Sequence, residues 1–87
     1  MSLDALRAVR RGDVARERGE VDRALESYRE AVALDPEFAL AQNRLGLMAI
    51  GDEALAAWRK AYALRQGVTL PERLEIEAAY HRYVTGE

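Results

Sequence analysis

Ala24-Leu-Glu-Ser-Tyr-Arg-Glu-Ala-Val-Ala-Leu34 is written a second time thirty residues later, as Ala54-Leu-Ala-Ala-Trp-Arg-Lys-Ala-Tyr-Ala-Leu64. Both copies keep alanines around one aromatic, Tyr28 in the first and Trp58 in the second, and both follow an acidic cap candidate, Asp22 or Asp52. Apolar positions at this spacing make one face of a helix, and alanines on that face let a second helix come close. The chain is therefore an internal repeat of helices. Such an arrangement points to a scaffold that holds a partner, and to no particular reaction.

Working outward, a second correspondence runs at a different offset. Ala39, Leu40, Arg44, Gly46 and Ala49 fall thirty-four residues after Ala5, Leu6, Arg10, Gly12 and Ala15. Each repeat is thus a pair of helices, the first offset by thirty-four and the second by thirty residues. The difference, close to one helical turn, maps to the stretch Arg16 to Val21, whose counterpart is only Ile50-Gly51. Removing a whole turn preserves which face points inward, so the second pair is expected to be shorter with its packing kept.

Local signals then set the elements. A weak apolar stripe predicts a first helix from about Leu3 to Arg18, with Gly12 marking a close backbone approach and Gly19 closing it. Asp22 is the expected N-cap of the second helix, which stops at Leu34 before Asp35-Pro36. The third helix is expected over Glu37 to Ile50, and the fourth from Asp52 to near Gln66-Gly67. Thr69-Leu-Pro-Glu72 reads as a capping box with proline in the first turn, starting a fifth helix from Pro71 to Val84. The expectation is one all-α domain, 1–87, with a first unit near 5–38, a shortened second near 39–68, and a partial third unit or capping helix near 69–87.

Bulk composition narrows the function. With 87 residues the chain is a small single domain whose stability depends on strong local order. The net charge of −2 arises from near-balanced acids and bases without a long basic run, which disfavours nucleic acid. Absence of cysteine removes disulfides, thiolate metal sites and cysteine nucleophiles. No signal-peptide pattern or membrane-length apolar run occurs, so a cytoplasmic location without membrane contact is expected. His81 is the single histidine, with no nucleophile or carboxylate pair at a chemical spacing, and no phosphate loop is present. No catalytic residue, metal or cofactor is expected.

The combination of a small residue in the first helix, then Gly-x-x-Asp-x-Ala, an aromatic, an alanine and Leu-Asp-Pro resembles the tetratricopeptide repeat, TPR. The first copy carries Gly12, Ala15, Gly19, Ala24, Tyr28, Ala31, Leu34, Asp35 and Pro36; the second carries Leu45, Gly46, Ala49, Gly51, Ala54, Trp58, Ala61 and Leu64. Departures are Arg11, where the family usually has leucine, and Arg65-Gln66 in place of Asp-Pro. The resemblance implies a helix-turn-helix solenoid of about five antiparallel helices, with Tyr28 and Trp58 in its core.

It also implies a function, that of a non-catalytic, bacterial-type interaction module taking a peptide or partner segment in the concave groove formed by the first helix of each pair. Carried onto this chain, the groove comprises Leu6, Val9, Arg10, Asp13 and Arg16, then Leu40, Asn43, Arg44 and Leu47, then Arg73, Ile76, Glu77 and Tyr80. Arg10, Asn43, Arg44 and Arg73 are the leading candidates. Arg10 and Arg44 are expected in one row, each able to fork to a carboxylate; the alternative is that they solvate a face or pair with nearby acids. A second function weighed is self-assembly, in which an exposed C-terminal helix forms a homodimer or larger oligomer through Ile76, Tyr80 and Tyr83.

Overall fold

The computed structural model describes residues 2–86, and the two ends of the expected domain, Met1 and Glu87, lie outside them. Five α-helices follow one another: α1 (Leu3–Glu17), α2 (Val21–Leu34), α3 (Ala39–Met48), α4 (Gly51–Ala63) and α5 (Leu70–Tyr80). A 3-10 turn, Arg65–Gly67, links α4 to α5, and α5 runs on into a π-helical turn, His81–Thr85. No strand occurs among the described residues. The all-helical repeat fold expected from the internal repeat is the fold observed.

α1 pairs with α2 and α3 with α4, and α5 packs on α4, so the elements stack in chain order. Alanine makes this possible. Ala8, Ala15, Ala24, Ala31, Ala41, Ala54 and Ala57 are buried in one cluster with Val9, Tyr28 and Leu45, and their short side chains bring helix backbones near. Ala39, Ala61 and Ile76 form a second cluster under α5. Packing of this kind depends on local pairs along the chain, which suits a protein too small for one large core.

The close approaches marked by glycine are real. A Cβ on Gly12 would stand 2.7 Å from Tyr28 Cδ1, and one on Gly46 would stand 2.8 Å from Trp58 Cε2. Each ring therefore lies across the backbone of the preceding helix. Tyr28 is 0% exposed, whereas Trp58 is only partly buried, and its outer face is covered by Tyr83, stacked at 4.6 Å.

Helix ends follow the expectation in outline and differ in detail. Gly19 has φ 75°, the left-handed turn that ends α1. Thr69 caps α5, its hydroxyl accepting from Glu72 N–H at 3.4 Å, with Pro71 in the first turn. Asp22 and Asp52 are not N-caps. They lie within the first turns of α2 and α4, where a carboxylate still favours the positive end of the helix dipole. α3 is shorter than Glu37 to Ile50 at both ends, with 10 residues against 15 in α1. The missing turn thus comes out of the first helix of the second pair.

Candidate functional site

The first helices of the three units, α1, α3 and α5, are tied by one side chain. Arg44, with only 18% of its side chain exposed, directs Nε to Asp13 Oδ1 at 3.3 Å on α1 and Nη1 to Glu75 Oε2 at 3.5 Å on α5. Asp13 also accepts the hydroxyl of Tyr28 and lies 3.9 Å from Arg16. Burial of Tyr28, reinforced by the Asp13 carboxylate, holds the phenol protonated far above its ordinary range. On the second helices, Arg29 of α2 grips Glu53 of α4 through two bonds of 2.7 Å. That fork lowers the Glu53 pKa.

This geometry corrects two expectations about arginines. Arg44 already holds two carboxylates of its own chain, so its position is that of a strut between units and its fork is occupied. Arg10 makes no such bridge among the described residues. It is exposed and lines a depression of about 750 Å3 between α1 and α2, on the side of the first hairpin away from α3, together with Arg7, Arg11, Val14 and Arg18. The repeat register places both arginines on the same helix face, but only Arg44 has a preceding unit against that face.

Burial sorts the remaining candidates. Val9 at 1%, Asn43 at 3% and Ile76 at 2% exposure are interior residues, because the first helices use these positions to pack between units. Ile76 is therefore unavailable as an oligomer contact. Tyr80 is stacked on Tyr62 of α4, 3.8 Å between ring centres and 9° from parallel, so it closes the α4–α5 seam. Tyr83 remains half exposed over Trp58. Leu47 is exposed, and Glu77 is engaged by Arg65 at 3.3 Å.

A second depression, of about 450 Å3, gathers two of the expected groove residues. Leu6 of α1 and Leu40 of α3 meet Leu64, Val68 and the first turn of α5, with Glu37 and Glu72 at the rim. Lys60 bonds Glu37 at 3.1 Å, leaving Glu72 the freer rim acid. Two more expected residues hold polar atoms without a hydrogen-bond partner among the described residues, Asn43 Oδ1 and Arg73 Nε. Both atoms are themselves buried, beneath the surface that an incoming segment would meet.

Sequence reasoning missed Tyr62. It carries both the Tyr80 stack and a cation–π contact with Arg65, 3.7 Å from guanidinium carbon to ring centre. Its place four residues after Trp58, on the same helix face, was the available signal. Among the described residues no group of three His, Cys, Asp or Glu side chains could hold a metal ion. No helix among the described residues is long and apolar enough to cross a membrane.

Residues 12–49 match the family model described as a TPR repeat. Comparison with curated proteins gave no match, and neither did comparison with solved structures.

Proposed function

We propose that this chain, whose residues 12–49 match a tetratricopeptide-repeat model, is a non-catalytic scaffold that seats a short segment of a partner protein on the face presented by α1, α3 and α5. Repeats of this family generally mediate protein–protein interaction. The observation that carries the finer reading is the depression joining Leu6, Leu40 and Glu72 across three units. It offers an apolar seat with acids at its rim. The segment it fits has one apolar side chain to fill the seat and a basic neighbour for Glu72.

On this reading Leu6 and Leu40 contact the partner, Leu47 borders it, and Asn43, Arg44, Arg73 and Tyr80 hold the helices that form the seat. A cytoplasmic setting is part of the same proposal. The test is selection from a random peptide library displayed on phage, followed by binding of the selected peptides to Leu6→Glu, a half-buried position. Selected peptides sharing an apolar–basic pair, with at least tenfold loss on Leu6→Glu and an unchanged melting profile, are expected. Peptides that bind the variant and the parent equally would overturn the assignment.

A further inference from the structure

The depression of about 750 Å3 between α1 and α2 is lined by five arginines against three glutamates. Three of the arginines are engaged within the chain: Arg7 by Asp4 at 3.6 Å, Arg11 by Glu30 at 2.7 Å and Arg23 by Glu20 at 3.2 Å. The side chains of Arg10 and Arg18 are exposed and take part in no ion pair or hydrogen bond among the described residues. They stand four residues to either side of Val14, itself 47% exposed. Cation, apolar side chain and cation thus follow one another along one row of α1 and its C-cap, over about 12 Å.

The second unit shows what such a groove takes. Ala41, Leu45 and Ala49, the counterparts of Arg7, Arg11 and Ala15, are buried at 0%, 6% and 9% exposure, and α2 packs against α3. A helix fills that groove. Arg44, the counterpart of Arg10, holds carboxylates of the neighbouring α1 and α5. The first unit keeps the helix-pair frame but makes the row basic, so its occupant gains by bringing negative charge.

We propose that the depression between α1 and α2 seats an acidic α-helix of a partner protein, which sets an acid, an apolar residue and a second acid, at four-residue spacing, on Arg10, Val14 and Arg18. Each guanidinium can fork to one carboxylate, and the apolar contact removes Val14 from water. Glu26, on the α2 wall, has no ion-pair partner among the described residues either, which turns the acids of the occupant toward α1. The site does not depend on the apolar seat, where Glu37 and Glu72 at the rim would repel the same acids.

Two alanine-based helical peptides, one with Glu, Leu and Glu at four-residue spacing and the other with Lys, Leu and Lys, test it by fluorescence anisotropy. At low salt the chain is expected to bind the glutamate peptide and not the lysine peptide, more weakly as salt is raised. Arg10→Ala combined with Arg18→Ala should weaken binding roughly tenfold. Arg10→Glu combined with Arg18→Glu should reverse the preference, which a loss of fold cannot do. Leu6→Glu, in the apolar seat, should leave the glutamate peptide bound as before, so that failure of one site is read apart from failure of the other. No binding at millimolar concentration, no preference between the peptides, equal binding by the double-alanine variant, or loss on Leu6→Glu would each overturn the proposal.

Discussion

Gly12 and Gly46 show how single residues decide the packing. In an exposed helix interior, glycine to alanine stabilises by about 1 kcal/mol. Here the added methyl would meet the Tyr28 or Trp58 ring, so the sign reverses. Gly46→Ala is expected to cost about 1–3 kcal/mol, read by urea denaturation. Both glycines and both rings were legible in the sequence because they recur in register. The hydroxyl of Tyr28 was not, since its bond to Asp13 crosses from α2 to α1 at a spacing that no helix period suggests. Tyr28→Phe should cost about 1 kcal/mol. The raised pKa of Tyr28 makes its contribution constant below about pH 10, where unfolded tyrosine titrates, and declining as pH rises through the folded value. Denaturation at increasing alkaline pH should show that decline in the parent and lessen it in Tyr28→Phe. At the acid end the sign is opposite. Glu53, with its pKa lowered by Arg29, adds stability above the usual glutamate pKa that is lost as pH falls through the lowered value.

Among the elements, helix order and type were readable because periodicity, glycine and proline all agreed. The ends were less so. Asp22 and Asp52 have the chemistry of caps yet sit inside the first turns, since Glu20 and Ile50 take the capping positions by backbone geometry. Thr69, by contrast, caps α5 as its sequence suggests, and Thr69→Ala should lower the melting midpoint through a loss of about 1 kcal/mol. The π-helical turn after Tyr80 had no visible signature in composition. It belongs with two aromatic stacks, Tyr80 on Tyr62 and Tyr83 on Trp58, that hold the start and the middle of this segment to α4. Tertiary contact there overrides the simple helical period from which Val84 was expected to end the helix.

For the whole molecule, the repeat arithmetic gave the stacking order, and the occupied state of individual side chains could not follow from it. Arg10 and Arg44 look equivalent along the chain, but only Arg44 is enclosed by neighbours on both sides. Arg44→Ala should therefore destabilise by about 1–2 kcal/mol, while Arg10→Ala should stay within about 0.5 kcal/mol of the parent. Equal effects in thermal denaturation would contradict the strut assigned to Arg44. The same asymmetry moves the candidate docking site from a row of arginines to an apolar seat. Backbone amide NMR, recorded while a library-selected peptide is titrated into the chain, tests that seat most directly. Chemical-shift changes are expected to concentrate at Leu6, Leu40, Val68 and Glu72. Changes centred on Arg10, Val14 and Arg18, in the depression between α1 and α2, would place the partner on the opposite side and contradict the account.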